Sequence, residues 1–261
     1  MRIRFLMAAL GGLALAAPAA AQKTEDQAKL IFTVGLTYTG GADLWSVSGQ
    51  PILRPAIGSD TVALARAISG SIGVDFSGMY FPKPALGFVG EAFFMGGGLQ
   101  DQCTVTSANP DPRTGEICSD IDASSNPSSS VLMSVGAVFR GAADKKISPY
   151  ARAQVGILIS NFSPVRTDGT LSTGDIFVVY DDPSNTSVTP AFVFGAGATM
   201  PLGKGWQARV EGRDNVVEFA TVTGPTGAGD SSPDTANKWM NLWSILVGVD
   251  VVLEKKRGHR Y

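Results

Sequence analysis

Along most of the chain, apolar residues recur at every second position, and the positions between them are small, hydroxylic or charged. The last such run is the clearest. Trp239, Trp243, Ile245, Val247, Val249, Val251 and Leu253 share one parity, with Asn241 as its one polar member, while Ser244, Gly248 and Asp250 hold the other. A period of two belongs to a β-strand with two unlike faces. The pattern predicts eight strands, near 30–39, 64–78, 85–97, 130–141, 149–160, 188–201, 206–221 and 239–253. The first sets Leu30, Phe32, Val34, Leu36 and Tyr38 against Thr33, Gly35 and Thr37. The second sets Ile68, Ile72, Val74 and Phe76 against Ser69, Ser71, Gly73 and Asp75.

The connections alternate in length. Segments 40–63, 98–129, 161–187 and 222–238 read as long polar loops. Phe81-Pro82-Lys83-Pro84, Ala143-Asp144-Lys145-Lys146 and Leu202-Gly203-Lys204-Gly205 read as short turns. Long on one side and short on the other is the arrangement of an outer-membrane barrel with both chain ends in the periplasm. A soluble lipocalin-like barrel, the alternative, has no need of it.

The polar parity gathers Asp75, Glu91, Glu211 and Asp250 with Arg140, Arg152, Arg209 and Arg213, four acids against four bases. A water-soluble barrel fills its interior with apolar side chains and charges its exterior. Here the inner face is small, hydroxylic and charged and the outer face apolar, so the outer face is expected to meet lipid. The lumen of an eight-stranded barrel is about wide enough to be filled by side chains. Balanced charge in that space must be paired, which predicts an interlocked polar plug. A narrow solute or proton path is the other reading. Tyr38, Trp45, Tyr80, Phe81, Tyr150, Trp206, Trp239 and Trp243 fall near strand ends and are expected to form two aromatic girdles.

Composition adds an address. Arg2 and Arg4, an apolar run from Phe5 to Ala17 and the Ala19-Ala20-Ala21 site form a cleaved secretory signal over 1–21. The barrel then occupies 22–254, and 255–261 is a short basic periplasmic tail. The 2 cysteines, Cys103 and Cys118, are expected to form a disulfide in one outer loop of an exported protein. A net charge of -2 gives no basic face for nucleic acid. The single histidine, His259, lies in the tail, so histidine-dependent acyl transfer, lipid deacylation and Asp-His proteolysis are disfavoured together. No zinc cluster, nucleotide loop or ordered calcium loop is present, so neither metal nor cofactor is expected. Asp101, Asp111, Glu116, Asp120, Asp122, Asp168, Asp175, Asp181 and Asp182 make the outer loops acidic, a pattern expected of a solvated face.

The segment Gly195-Ala196-Gly197-Ala198-Thr199-Met200-Pro201-Leu202-Gly203-Lys204-Gly205-Trp206-Gln207-Ala208-Arg209-Val210-Glu211-Gly212-Arg213-Asp214 resembles a recurrent hairpin of small bacterial outer-membrane barrels of the OmpA-like or OmpX/OmpW-like type. The resemblance implies an integral outer-membrane protein inserted by the barrel-assembly machinery. In that class the insertion signal ends on an aromatic of the last strand, whereas here Leu253 ends it and a basic tail follows. The expectation is therefore a monomeric, non-enzymatic, all-β, eight-stranded antiparallel up-and-down transmembrane β-barrel. Its role would be structural or surface-interactive. A small porin-like channel, or a secreted ligand-binding barrel, is the rival.

Overall fold

The computed structural model describes residues 29–54, 58–141, 146–182, 187–203 and 205–254. The signal segment 1–21, the tail 255–261 with His259, and Ala143, Asp144, Lys145 and Lys204 of the short turns lie outside the described residues. In chain order the elements are β1 (Lys29–Thr39), β2 (Ala42–Arg54), β3 (Gly58–Ile68), β4 (Ser71–Phe81), β5 (Leu86–Val105) and α1 (Pro112–Ala123). They continue with β6 (Ser125–Arg140), β7 (Ser148–Ser160), β8 (Thr167–Thr170), β9 (Ile176–Tyr180), β10 (Ser187–Gly203), β11 (Trp206–Val222) and β12 (Thr235–Glu254).

Eight strands close into a ring in the order β1, β4, β5, β6, β7, β10, β11, β12 and back to β1, every pair antiparallel. Strands β1 and β4 have 11 residues each, the length that crosses a bilayer when tilted. Strands β5 and β12 have 20 each, and β10 and β11 have 17 each, so they overshoot. The overshoot lies at the end with the long connections, the exterior end in barrels of this class.

The parity expected from the sequence holds through the wall. Phe32, Val34, Leu36 and Tyr38 point outward and Thr33 and Thr37 inward, with Phe32 48% exposed and Thr33 2%. The same division runs through β12, where Ile245, Val247 and Val249 face out and Ser244 and Asp250 face in. On the outward face Asn241 donates to Asp214 Oδ2 at 2.6 Å, which satisfies one polar pair beside Trp243.

Three expectations need correction. The predicted strand 64–78 is two strands, β3 and β4, laid end to end along the same partner β5 and separated at Ser69-Gly70. The alternation changes phase at that break, so Ile68 packs on an interior core instead of joining Ile72 outside. Second, the long connections are not simple polar loops. They hold the β2–β3 hairpin, α1 and the β8–β9 hairpin, which share one core with the upper barrel: Trp45, Val62, Leu64, Ile117, Ile121, Val179 and Tyr180 pack with Phe93, Leu132 and Val217. Third, the crossed charge cluster fills the interior only at mid-height. Below the charges lie Ile31, Met79, Phe81, Val89 and Val138, and above them Phe93, Leu132, Leu158, Val193 and Leu242. Apolar filling is cheaper wherever the lumen has no charge to pair.

The upper structure follows from a break in β1. Gly40 donates its N–H to the Trp243 carbonyl, and a side chain there would fall inside the Trp243 indole. After Gly41 the chain continues as β2, which among the described residues pairs with β3 alone and leaves β12. A seam thus separates β2 from β12 just above the membrane. Cys103 on β5 and Cys118 on α1 form the expected disulfide and tie the helix to the wall. With a sequence separation of 15, the closed loop contributes on the order of 3 kcal/mol.

Candidate functional site

All eight charged residues singled out by parity are buried within the barrel. Seven of them meet. Arg152 on β7 reaches across the lumen, with Nη1 2.6 Å from Glu91 Oε2 on β5 and Nη2 2.7 Å from Glu211 Oε1 on β11. Both are charge contacts whose angles fall outside hydrogen-bond geometry. Arg213 donates to Glu91 Oε1 at 2.8 Å, Asp75 Oδ2 at 3.1 Å and Glu211 Oε1 at 3.1 Å. Arg209 holds Asp250 in a two-bonded fork, at 2.8 and 2.9 Å, and Thr33 donates to the same carboxylate at 2.8 Å. A longer contact of 3.9 Å from Arg209 Nη1 to Glu211 Oε2 joins the two groups.

Local sequence explains how Glu211 accepts so many partners. Positions 209, 211 and 213 lie on one face of β11, so their side chains stack inward in register. Opposite them, Gly195 leaves the space: a Cβ there would stand 2.7 Å from Glu211 Oε1 and 3.2 Å from the Arg152 chain.

Arg140 is the outlier of the eight. It sits a layer nearer the periplasm, with its guanidinium 4.4 Å from the Phe81 ring centroid and Nη2 3.4 Å from the Pro84 carbonyl oxygen. Tyr150, which the girdle had claimed, instead lies inside. Its hydroxyl donates to Glu211 Oε2 at 2.5 Å, and Arg209 stacks over its ring at 4.8 Å. Phe81 and Trp45 likewise turn inward, whereas Tyr38, Tyr80, Trp206, Trp239 and Trp243 remain on the outer surface. A cavity between Tyr150, Arg209, Met79 and Phe81 measures about 10 Å³, close to the minimum for one water.

A second cluster stands in the exterior head. Arg66 on β3 and Asp101 on β5 face each other in the ladder and form a buried two-bonded ion pair at 2.5 and 2.7 Å. Arg66 also lies 5.5 Å from the Trp45 ring, and Trp45 donates to the Pro164 carbonyl at 2.9 Å. Several acids expected to be merely solvated, Asp101 and Asp120 among them, are structural, and so is Asp60. Asp60 accepts from the Asp111 N–H at 2.9 Å and the Thr114 hydroxyl at 2.7 Å at the start of α1, and Asp120 accepts from the Thr170 N–H at 2.7 Å. Tyr180 donates to Gln50 Oε1 at 2.8 Å, and burial pushes its phenol up to about 12. Among the described residues no His, Cys, Asp and Glu come together as a metal-ligating group.

No family model matches the chain and no curated protein matches it in sequence. Solved structures do. OprG of Pseudomonas aeruginosa superposes with a TM-score of 0.51 at 9% identity, over 88% of this chain and 98% of that one. The Yersinia pestis protein Ail, in complex with the heparin analogue sucrose octasulfate, gives 0.42 at 9% identity, over 87% and 99%. The outer-membrane protease OmpT of Escherichia coli gives 0.39 at 8% identity, over 89% and 98%. The fold is that of a small bacterial outer-membrane β-barrel. Its outward apolar band places the chain in the outer membrane.

Proposed function

We propose that this is a closed, non-enzymatic barrel that holds a rigid head at the cell exterior, where its work is structural or recognitive. The observation that carries the reading is the crossed ion-pair layer of Arg152, Arg213, Glu91, Glu211 and Asp75, with apolar clusters above and below it, the lower one sharing its layer with Arg140. An ion crossing the lumen would have to separate buried pairs and pass the apolar side chains packed above and below them, and separating a buried pair alone carries a penalty of several kcal/mol. The head supports the second half of the proposal. Its hairpins and helix share a core with the upper barrel, and a disulfide fastens the helix to the wall. Loops on a rigid scaffold are where binding surfaces are built. The chain acts as a monomer, inserted by the barrel-assembly machinery after removal of residues 1–21.

Single-channel recording in planar bilayers tests the closed lumen. The refolded barrel is expected to give no steady conductance. A stable open level in the intact protein would replace this reading with that of a small porin-like channel.

A further inference from the structure

The seam between β2 and β12 opens into a cavity of about 350 Å³, lined by Asp43, Trp45, Ser46, Arg66, Gln100, Gln102 and Lys238 among others. We propose that this cavity is a binding site for an uncharged, hydroxyl-rich sugar unit. The inference rests on the preceding reading only in placing the head outside the cell.

The first observation is how the polar groups of the head are used. Many are committed within the chain: Asp101 to Arg66, Asp60 to the start of α1, Asp120 and Glu116 to the β8–β9 segment, and Gln50 to Tyr180 and Thr226. Five that line the cavity are not. The side chains of Asp43, Ser46, Gln100, Gln102 and Lys238 are all exposed, and none is engaged by another described residue.

The second observation is their arrangement. Gln100 and Gln102 are two apart on β5, so both amides project from one face about 7 Å apart. Each amide carries two donors and an acceptor that accepts twice, a set suited to neighbouring hydroxyls. Across the ladder stand Ala67 opposite Gln100 and Ala65 opposite Gln102, and these short side chains give the cavity its depth. Asp43 adds an acceptor and Lys238 a donor from the far side of the seam.

The third observation concerns charge. Asp43 and Lys238 cancel, and the Arg66 guanidinium is already forked onto Asp101. The cavity therefore offers no net positive field, so a polyanion gains nothing there. Its volume lies at the small end of the range for small-molecule sites, room for a mono- or disaccharide. Tyr38 and Trp243 lie just below, at the lipid boundary, so the site is within reach of a glycolipid of the same membrane as well as of a free glycan.

The full-length protein, folded in detergent, is probed on a glycan array carrying neutral and sulfated sugars, and in parallel with lipopolysaccharide of complete core, whose outer hexoses are uncharged, in mixed micelles. Retention of neutral glycans is expected. The double variant Gln100→Ala/Gln102→Ala should weaken it at least about tenfold, and Ala67→Phe, which fills the cavity, should abolish it. Both variants must keep heat-modifiable migration, the sign of a folded barrel. Binding of the lipopolysaccharide alone, lost in the same variants, assigns the site to a membrane glycolipid. Retention of sulfated glycans only, retention unchanged in both variants, or no retention of any probe overturns the proposal. None of these failures bears on whether the lumen conducts.

Discussion

Glu211→Ala destabilises the barrel by about 3–5 kcal/mol, because Arg152 and Arg213 each lose a buried carboxylate partner in a dry lumen and are left to share Glu91, with Asp75 on Arg213 alone. The same carboxylate also receives the Tyr150 hydroxyl, so one truncation strands several donors together. Urea unfolding in lipid vesicles, followed by tryptophan fluorescence, measures the loss. A change below about 1 kcal/mol would show that the cluster is hydrated and that the pairs are not the closing layer. Replacing Glu211 and Arg152 together by apolar residues of similar size should cost much less than Glu211→Ala alone, since buried pairs repay little more than their own desolvation.

Val247→Arg is the second large effect, and it acts from the other side of the wall. Val247 sits mid-strand on β12, between Leu36 and Val210, and is 59% exposed on the outward face. In a bilayer an arginine there costs about 2–4 kcal/mol. Ile176→Arg, on the exterior head at 65% exposure, should shift stability by no more than about 0.5 kcal/mol. Two substitutions at similarly exposed apolar positions thus differ only because one solvent is hydrocarbon and the other is water. Equal, small effects at both sites would contradict the membrane assignment.

Much of this was legible in the residues because strand parity survives any uncertainty about where strands end. Strand β12 could be read without difficulty: its two faces differ at nearly every position from Trp239 to Leu253. The inward parity of the charged residues follows from the same rule, whereas the meeting of Asp75 and Arg213 depends on how the ring of strands closes. Tyr150 and Phe81 show where reading by position goes wrong. Both lie near strand ends, which suggested the girdle, yet Tyr150 shares its parity with Arg152, and Phe81 with Ser77 and Met79, which pointed inward.

The head was harder to read, for a physical reason. Its strands are short and interrupted, and the Ser69-Gly70 break reverses the alternation, so a single period carried across it misplaces Ile68 and conceals Arg66. Helix α1 did leave a signal. Asp111 caps it through the Arg113 N–H, Pro112 occupies its first turn, and Thr114, Ile117, Cys118 and Ile121 recur at helical spacing. The polar surroundings of segment 98–129 drew attention away from that pattern. The Arg66–Asp101 pair had no such signal, since it depends on β3 leaving β4 and pairing with the upper part of β5.

The side of the wall that meets hydrocarbon can be read directly by a nitroxide attached at Val247→Cys in the vesicle-folded protein, with Ile176→Cys as the water-exposed reference. At Val247 the label should relax in the presence of oxygen, which concentrates in lipid, and ignore a water-soluble nickel chelate. At Ile176 the order should reverse. A label at Val247 that the chelate reaches as readily as it does at Ile176 would mean that the apolar face of the barrel stands in water.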